Sequence, residues 1–338
     1  MKKIPVEKAV GMTLCHDITA MREGFKGPAF KRGHIITAED VPEFLNLGKK
    51  SVFVFEKTEE EIHEDDAALR MAKMTSAEFC RFTGPSEGKM MVFSDEEGLF
   101  RVNRPLLNKI NSIGDITICS IPDNYPVKKG SRLASMRIIP LVTDVKQIEE
   151  AEDLCREEKL FTLTPYRYKK IGVIITGSEI YSGRIKDRFE PVVRSKMEKF
   201  PCDIIGLAIC DDDLEMITSK AREFLYSGAD FLIFTGGMSV DPDDLTPTAI
   251  KHLGADIISY GLPAQPGNMT LVAYLGDIPL IGVPGAAINL PTTMFDVVLP
   301  RIFADIKFSK ADLINMGDGG LCQMCDVCHF PNCTFGRY

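Results

Sequence analysis

Two glycine-containing turns in the second half of the sequence carry the residues best suited to phosphate chemistry. The first reads TGSE over residues 176–179, and the second reads TGGMSVDPDD over residues 235–244. Glycine lets the backbone approach a ligand closely, and successive free amides attract anions such as phosphate. The two turns therefore predict an anion-binding site, although a tight turn followed by a helix cap also accounts for an isolated glycine pair.

The second turn also carries three carboxylates, on Asp241, Asp243 and Asp244. These side chains would repel an anionic ligand unless a cation bridges them to it. A Mg²⁺ ion held by one or two carboxylates and by the phosphates of a substrate resolves this conflict. The alternative is that Asp243 or Asp244 caps the helix expected near 245–253, and the turn can serve both purposes.

The cysteines divide into a group of four at the end of the sequence and six that are scattered. Cys322, Cys325, Cys328 and Cys333 follow the spacing C-x₂-C-x₂-C-x₄-C, which suits an iron–sulfur cluster or a tetrahedral zinc site. The compact spacing favours the cluster. A reduced, flexible tail or a pair of disulfides is the alternative, and His329 is more simply a bystander than a ligand. The scattered cysteines are predicted to be buried, reduced thiols: Cys15, Cys80, Cys119, Cys155, Cys202 and Cys210.

Three short apolar runs must position the glycine turns. They cover residues 171–176, 204–209 and 231–234. Later segments have apolar residues at helical spacing, and we expect helices over 214–227, near 245–253 and over 287–304. Short strands buried on both faces that alternate with helices predict a parallel sheet with right-handed crossovers. Residues 166–305 are therefore expected to form a doubly wound α/β domain that binds ligands beyond the carboxyl ends of its strands.

Further candidate residues lie at other turns of this domain. Asp211, Asp212 and Asp213 precede the helix over 214–227, where carboxylates cap free N–H groups. Two glycine–proline turns, Pro266-Gly267 and Pro284-Gly285, flank the apolar segment 280–283. The second turn opens the last predicted helix and offers another helix N-terminus that favours anions.

The rest of the chain carries no comparable chemistry. Residues 1–56 are predicted to be a β-rich segment with a strand over 51–55. Residues 57–165 are predicted to be an α+β region. It begins with a solvated acidic connector over 57–66, which is either a linker or the exposed start of a helix, and residues 306–338 form a cysteine-rich tail. Within the middle region we expect helices over 67–82 and 145–158 and strands over 89–93, 115–121 and 136–142.

Composition excludes several classes of protein. The 338 residues include 48 acidic and 40 basic side chains, giving a net charge of -8, which argues against a nucleic-acid partner. No apolar run reaches the roughly 18 to 20 residues that cross a bilayer, and no signal peptide is visible at the start. We therefore expect a protein of the cytoplasm that has no membrane partner.

Taken together, the motifs resemble the molybdopterin-binding domain of the molybdopterin molybdenumtransferase (MoeA/gephyrin) family. The resemblance is strong over 171–303 and moderate over 9–56, and it is closest to shorter members with a cysteine-rich tail. It implies a three-layer α/β domain with a mostly parallel sheet, preceded by an α+β or β-rich lobe. The matching segments, in the family's order, are ITGSEIYSGRIKD (175–187), TGGMSVDPDD (235–244), LPAQPG (262–267) and GVPGAAINLPTTMFDVVLPRI (282–302).

This resemblance implies a role in the biosynthesis of the molybdenum cofactor. The protein would bind adenylylated molybdopterin, insert molybdate with the help of Mg²⁺ and release AMP. By the same analogy it would be a homodimer, with a molybdoenzyme as recipient of the cofactor. The alternatives are a non-catalytic carrier of molybdopterin or of the finished cofactor and, more distantly, a generic nucleotide-binding module.

The resemblance also implies roles for individual residues. Glu179, Asp241 and Asp244 take the catalytic positions, and Asp241 and Asp244 would hold Mg²⁺. The residues expected to bind the pterin or its phosphates are Thr176, Gly177, Ser178, Asp187, Asp211, Thr235, Gly236, Gly237, Ser239, Pro266, Gly267, Pro284 and Gly285.

Four positions depart from the family pattern. Ser178 replaces an aspartate, Asp241 replaces a glycine, Asn268 replaces a lysine, and Ala286 replaces an asparagine. The missing lysine would have supplied positive charge for an anion such as molybdate. Binding is therefore better supported than turnover.

Overall fold

The structure is a computed structural model that describes residues 2–22, 25–54, 60–239 and 241–336. Its contacts divide the chain into two compact units. Among the described residues, no helix is both long and apolar enough to cross a membrane. One unit contains Met1–Glu96, Val102–Ile121 and Lys129–Leu163, and the other contains Glu97–Arg101, Pro122–Lys128 and Thr164–Tyr338.

Up to residue 165 the chain consists mainly of short strands. These are β1 (Lys2–Pro5), β2 (Ile18–Arg22), β3 (Phe25–Phe30), β4 (Ser51–Val54), β5 (Glu61–His63), β6 (Cys80–Ser86), β7 (Lys89–Ser94), β8 (Gly98–Val102), β9 (Ile116–Ser120), β10 (Tyr125–Val127), β11 (Arg132–Ile138), β12 (Val142–Asp144) and β13 (Phe161–Pro165). The α-helices are α1 (Val41–Asn46), α2 (Glu64–Met74), α3 (Arg104–Asn111) and α4 (Val145–Glu157), and Val6–Lys8 forms a 3₁₀ turn.

The first unit is built around an antiparallel sheet with the strand order β6-β7-β11-β9. Helix α2 contacts this sheet, and its Ala67, Ala68 and Met71 are buried. Smaller antiparallel pairs join β1 to β4, β2 to β3 and β5 to β12. A separate hydrophobic core, which includes Leu14 and Phe44, stabilises the segment before residue 55.

Within the acidic segment predicted over 57–66, the alternative of a helix start is correct, whereas a linker from residue 61 onward and the exposure of Glu64 are wrong. Glu61–His63 is strand β5, and Glu64 begins α2 with only 7% of its surface exposed. The Arg137 guanidinium lies 3.4 Å from the Glu64 carboxylate, which accounts for a charged side chain at a buried position. Burial raises the pKa of Glu64. Residues 57–59 lie outside the described residues, as does Phe55 of the strand predicted over 51–55.

The helix predicted over 67–82 begins and ends earlier than expected. It begins at Glu64, where His63 Nδ1 accepts a hydrogen bond from the Asp65 N–H, and ends at Met74. The apolar periodicity extends to Cys80, but Phe79 has a φ of 61°, which a helix cannot contain, and Cys80 starts β6. The strand predicted over 136–142 is likewise wrong, because β11 ends at Ile138 and β12 begins at Val142.

The scattered cysteines are free thiols whose burial differs. Cys15 and Cys210 are buried as predicted, and burial raises the pKa of the Cys210 thiol to about 11. The prediction is wrong for Cys119, which is exposed. Burial alternates along β9, and Cys119 falls on the face that is open to solvent.

After residue 165 strands and helices alternate. The strands are β14 (Lys169–Thr176), β15 (Cys202–Cys210), β16 (Phe231–Thr235), β17 (Asp256–Tyr260), β18 (Leu271–Leu275) and β19 (Ile278–Val283). The helices are α5 (Ser178–Tyr181), α6 (Phe189–Met197), α7 (Leu214–Tyr226), α8 (Thr246–His252), α9 (Ala286–Asn289), α10 (Met294–Phe303) and α11 (Lys310–Asn315).

These strands form one mostly parallel sheet with the order β15-β14-β16-β19-β18-β17. Strand β14 pairs in parallel with β15 and β16, and β16 pairs in parallel with β19. Strand β18 runs antiparallel to both of its neighbours. Alternate residues enter two cores, so that Ile175 packs with residues of α6 and α10 and Ile174 packs with residues of α7 and α8. The predicted doubly wound, three-layer α/β fold is confirmed.

The single helix predicted over 287–304 is wrong, because the structure has two. Helix α9 ends at Asn289, and α10 begins at Met294. Pro291 lies in the segment between them, and the Thr293 hydroxyl caps α10 in a capping box with Asp296. The helical spacing of Phe295, Val298 and Ile302 correctly predicted α10, but these residues gave no information on α9.

A buried ion pair joins α6 to α10. Lys196 Nζ lies 2.6 and 2.7 Å from the two carboxylate oxygens of Asp296, and each side chain is 7% exposed. Lys196 also donates to the Pro291 carbonyl oxygen at 3.2 Å, and Asp296 accepts from the Thr293 N–H at 2.8 Å. These additional bonds offset the cost of removing both charges from water.

We predict that Asp296→Asn lowers the free energy of unfolding by about 3 to 5 kcal/mol, because it leaves the Lys196 charge buried without a counter-ion. Urea unfolding of the two proteins measures the difference. The control is Glu223→Gln, which breaks the exposed pair of Lys220 and Glu223 and should change the free energy by about 0 to 1 kcal/mol. Equal losses in the two variants would contradict the role given to the buried pair.

Candidate functional site

The candidate site lies at one edge of the six-stranded sheet. Parallel pairing places Thr176 beside Cys210, and Thr235 beside Val283, at the carboxyl ends of β14, β15, β16 and β19. Strand β18 runs the other way, so Leu271 at its beginning pairs with Gly282 at the same edge. The predicted turns after four strands and the loop before β18 are therefore brought to a single edge.

The glycine pair forms a half-buried loop that contacts the end of β14. Gly236 and Gly237 have φ values of 81° and 51°. A Cβ on Gly236 would lie closer than 3.0 Å to the carbonyl oxygen of Thr176, nearer than real Cβ atoms come. A Cβ on Gly237 would lie 2.9 Å from the hydroxyl oxygens of Thr176 and Thr246. Both positions therefore require glycine, and neither is closed off from solvent.

Threonine hydroxyls lie close to this loop at the sheet edge. Thr246 Oγ1 donates to the Gly236 carbonyl oxygen at 2.9 Å and lies 3.2 Å from Thr176 Oγ1. Thr235 is fully buried, and its Oγ1 has no hydrogen-bond partner among the described residues. A buried hydroxyl without a partner is uncommon in proteins. The end of β16 therefore carries a glycine loop fixed by hydrogen bonds and a buried hydroxyl, that of Thr235, which has no partner among the described residues.

Tyr260 is a residue of this site that the sequence analysis missed. Its hydroxyl lies 3.0 Å from the carbonyl oxygens of Met238 and of Ser239, which follow the glycine pair. Burial and the nearby charge of Asp244 raise the pKa of Tyr260. Its place at the end of a strand was the only signal that the sequence offered. That signal was missed because strand β17 was not predicted. Val240, the next residue of the loop, lies outside the described residues.

The aspartates after the loop are arranged as a closed turn. The Asp241 N–H donates to Asp244 Oδ2 at 3.2 Å, and the Asp244 N–H donates to the Asp241 carbonyl oxygen at 3.0 Å. Asp241 and Asp243 are exposed, and Asp244 is half-buried. The alternative that Asp243 or Asp244 caps the next helix is wrong, because α8 begins after Leu245 and has no side-chain cap.

Ser178 joins the first turn to the aspartates after β15. Its hydroxyl donates to Asp211 Oδ1 at 2.5 Å, and its N–H donates to Asp212 Oδ2 at 2.9 Å. The Ser178 hydroxyl, together with the Asp212 N–H, lowers the pKa of Asp211. Of the three predicted helix-capping aspartates, Asp213 caps α7. Glu179 is exposed on the short helix α5.

The other predicted binding residues differ in their accessibility. Asp187 accepts hydrogen bonds from the Phe189 and Glu190 N–H groups at 2.8 Å each and so caps α6. Pro266 and Gly267 are buried, and the Pro266 carbonyl oxygen accepts from the Met294 N–H at the start of α10. Pro284 is buried, whereas Gly285 is exposed before α9. Of the two glycine–proline turns, the one at Gly285 is therefore the more accessible to a ligand.

The metal sites stay predictions. Within the residues that the structure describes, no group of three or more histidine, cysteine, aspartate or glutamate side chains could hold a metal ion. For Mg²⁺ the prediction from the sequence needs only one or two carboxylates together with substrate phosphates, and it assigns Asp241 and Asp244 to that role. In the tail Cys322 and Cys333 are half-buried, and Cys325 and Cys328 are exposed.

Comparison with known families agrees with this geometry. Residues 172–304 match a family described as a probable molybdopterin binding domain. The α/β domain is therefore similar to this family. Residues 3–56 match a second family, a domain of unknown function.

Individual relatives match part of the chain. The molybdopterin molybdenumtransferase of Haemophilus influenzae is 30% identical over 144 residues, which are 40% of this chain and 35% of the relative. A CinA-like protein of Mycobacterium sp. strain JLS is 29% identical over 90 residues, 26% of this chain and 21% of the relative. The chain thus spans about a third or less of these curated relatives. The molybdopterin biosynthesis enzyme MoaB of Thermus thermophilus is 19% identical, with a TM-score of 0.35 over 40% of this chain and 91% of its own.

We predict that Gly236→Ala destabilises the α/β domain more than a glycine substitution at an open position. Gly254 has a similar φ of 85°, but a Cβ there would meet nothing within 4 Å. Gly254→Ala should cost about 1 to 2 kcal/mol through backbone strain alone. Gly236→Ala should cost about 1 to 3 kcal/mol more, because the Thr176 backbone must move. Chemical unfolding measures both variants, and equal losses would contradict the close contact.

We predict that Ser178→Ala raises the pKa of Asp211 toward its ordinary value, because the carboxylate loses a hydrogen-bond donor. The shift should be partial, since the Asp212 N–H still donates to Asp211. Because the folded-state pKa is lowered, the interaction favours the folded state above the ordinary pKa and is lost as the pH falls through the lowered value. Carbon-13 NMR titration of the carboxyl group measures the change.

The control for this titration is Ser182→Ala. Its hydroxyl donates to the Ser178 carbonyl oxygen at 2.6 Å and contacts neither aspartate. This variant should leave the Asp211 titration unchanged. A Ser178→Ala protein that titrates like the wild type would show that the Ser178 hydroxyl does not stabilise the Asp211 carboxylate.

Proposed function

We propose that this protein acts in the biosynthesis of the molybdenum cofactor. In this proposal it binds adenylylated molybdopterin at the glycine-rich sheet edge, exchanges adenylate for molybdate with Mg²⁺, and releases AMP. The observation that carries the proposal is the half-buried Gly236–Gly237 loop, in a domain that matches a family described as a probable molybdopterin binding domain.

The loop is suited to the phosphate end of such a ligand. Its positive φ values turn the backbone sharply after β16, and the absence of side chains lets an anion approach the amides. Thr246 and Tyr260 bind the carbonyl oxygens of this loop. Because its carbonyl groups are held in this way, the loop needs little rearrangement when a ligand binds, which favours affinity.

The carboxylates divide into two sets with different roles. Asp211 and Asp212 bind Ser178 and fix the turn that carries Glu179. Asp241 and Asp244 lie after the glycine loop, where they would hold Mg²⁺ together with the ligand's phosphates. When bound, Mg²⁺ neutralises the charge that develops when a phosphoanhydride is cleaved. In this scheme Glu179 stays an exposed carboxylate available for proton transfer.

A second candidate function is a non-catalytic carrier of molybdopterin or of the finished cofactor for a molybdoenzyme. The observation that favours it is the loss of a positive charge at position 268 and of a polar amide at position 286. Asn268 is exposed where the resembled family has a lysine, and Ala286 begins α9 where that family has an asparagine. Neither side chain supplies a cation for molybdate. The homodimer and the cytoplasmic location stay predictions under either function.

An AMP-release assay distinguishes the two functions. Purified protein with adenylylated molybdopterin, Mg²⁺ and molybdate should release AMP. We predict that Asp244→Asn lowers the rate by at least about 10²-fold while the pterin still co-elutes with the protein, because the carboxylate acts on the metal rather than on the pterin. Asp243→Asn removes a neighbouring exposed charge and should retain most of the rate.

The outcomes of this assay separate the proposals clearly. If the wild type and the Asp244→Asn variant release AMP at the same rate, the role of that carboxylate is contradicted. If the pterin co-elutes with the protein but no AMP is released, the carrier function is supported and the enzymatic function is contradicted. Protein that binds ATP tightly and does not bind the pterin would contradict both functions.

A further inference from the structure

The connection between α5 and α6 is rich in positive charge. This basic connection, residues 182–188, carries Arg184, Lys186 and Arg188, and all three side chains are exposed. Its one acidic residue is Asp187, whose carboxylate accepts two backbone N–H groups of α6. The acidic side chain is thus bound at the start of the helix. The basic connection therefore presents an excess of positive charge on a protein whose net charge is -8.

Both ends of the basic connection are bonded to segments of the candidate site. At its start the Arg184 and Ile185 N–H groups donate to the Glu179 carbonyl oxygen at 2.9 and 3.2 Å. At its end Arg188 Nη2 donates to Asn289 Oδ1 at 3.0 Å. Glu179 lies on α5, which follows β14, and Asn289 lies on α9, which follows β19. The basic connection thus joins the segments that leave two strands at the same edge of the sheet.

The glycine loop follows the strand that lies between these two. Strand β16 separates β14 from β19 in the sheet, and Gly236 and Gly237 come directly after β16. Neighbouring strands are about 4.8 Å apart, so the ends of β14 and β19 are only about 10 Å apart. We therefore place the Arg188 guanidinium at the same edge as the loop that is proposed to bind phosphate.

A buried hydroxyl is turned toward the same side of the sheet. Phe231 and Ile233 of β16 belong to the core that contains residues of α6, and alternation along the strand places Thr235 on this side as well. Thr235 is fully buried, and its Oγ1 has no hydrogen-bond partner among the described residues. Because buried hydroxyls normally have a partner, this one is suited to donate to an oxygen of a ligand. The basic connection leads into α6 and so lies on this side too.

We propose that Arg188, held by Asn289, binds a tetrahedral oxyanion at this edge. The inference rests on the proposed function, in which both substrates carry such a group: molybdate itself and the phosphates of adenylylated molybdopterin. A guanidinium group has five N–H donors in a planar fork, and the bond to Asn289 uses one of them. Because the partner is a neutral amide, the bond orients the guanidinium without neutralising its charge.

This role bears on the choice between the enzyme and the carrier. Asn268 and Ala286 supply no cation for molybdate, and the loss at these positions favoured the carrier. A guanidinium at position 188 restores a positive charge at the same edge, from a different segment of the chain. The exposed Arg184 and Lys186 add a field that attracts anions and weakens as the salt concentration rises.

The test measures the binding of the two ligands separately by equilibrium dialysis of the full chain. Molybdate alone and adenylylated molybdopterin with Mg²⁺ are dialysed in turn against the wild type and Arg188→Gln. We expect the substitution to weaken the binding of at least one ligand about tenfold or more, because charge-assisted hydrogen bonds are lost. A loss confined to molybdate identifies molybdate as the bound anion, and a loss confined to the pterin ligand identifies its phosphates.

Two further variants test the orientation of the guanidinium. Asn289→Ala keeps the Arg188 charge but removes its hydrogen-bond partner, and it should weaken the same ligand by a smaller factor of about two to five. Arg188→Lys keeps a charge without the planar fork, so it should recover only part of the loss in Arg188→Gln. Because Arg188 and Asn289 are exposed, these variants should fold, and circular dichroism verifies this.

The matched control is Arg194→Gln, which removes one charge from an exposed arginine of α6. Arg194 Nε donates to the Glu190 carboxylate at 2.8 Å. Its affinities at physiological salt should stay within about twofold of the wild type, because this charge is already paired and is screened. Affinities that Arg188→Gln leaves unchanged for both ligands, or equal losses in Arg188→Gln and Arg194→Gln, would overturn the inference.

AMP release, measured on the same proteins, separates this inference from the proposed function. Protein that releases AMP while both affinities are independent of Arg188 contradicts the inference alone. Binding that depends on Arg188 without any AMP release contradicts the enzymatic function alone. A wild type that binds neither ligand would contradict both.

Discussion

The close approach of Gly236 to the end of β14 is the contact on which the candidate site depends. The glycine loop can lie against the Thr176 carbonyl group only because neither Gly236 nor Gly237 has a side chain. This contact joins the turns after two adjacent parallel strands, and the hydroxyls of Thr176, Thr246 and Tyr260 surround it. Each turn alone would be an ordinary loop. Held together, they present backbone amides at a fixed place on the sheet edge.

The charges around this contact explain how an acidic protein can offer a site for an anion. Asp211 and Asp212 are occupied by hydrogen bonds from Ser178. An aspartate at position 178 would place a third carboxylate against those two, so the serine found here suits its surroundings. Asp241 and Asp244 are closed into their own turn. The carboxylates of Asp211, Asp212 and Asp244 therefore accept hydrogen bonds from protein donors, whereas those of Asp241 and Asp243 are exposed. In the proposed function a cation would balance the exposed charges.

The sequence was sufficient for three parallel strands and insufficient for the elements that depend on distant partners. Continuous apolar runs identified β14, β15 and β16, but the prediction that all three are buried on both faces is wrong for β15, which lies at the edge of the sheet and is mostly half-buried or exposed. Strand β18 is buried almost throughout and was not predicted. Strand β17 and its Tyr260 were missed because half of that strand is exposed. Glu64 was taken as solvated because its partner Arg137 is 73 residues away. Pro291 was a signal for the break between α9 and α10, but the prediction of one helix relied on the spacing of residues that all lie in α10.

The reversed direction of β18 has a consequence for how this fold can diversify. In a sheet whose strands all run one way, only the segments that leave the strands reach the ligand edge. Here the connection from Tyr260 to Leu271 both starts and ends at that edge, since β17 finishes there and β18 begins there. Its Asn268 is exposed while Leu262 and Ala264 are buried in the core. Ligand preference can therefore change through the exposed positions of this connection while its apolar anchors and the central strands stay the same.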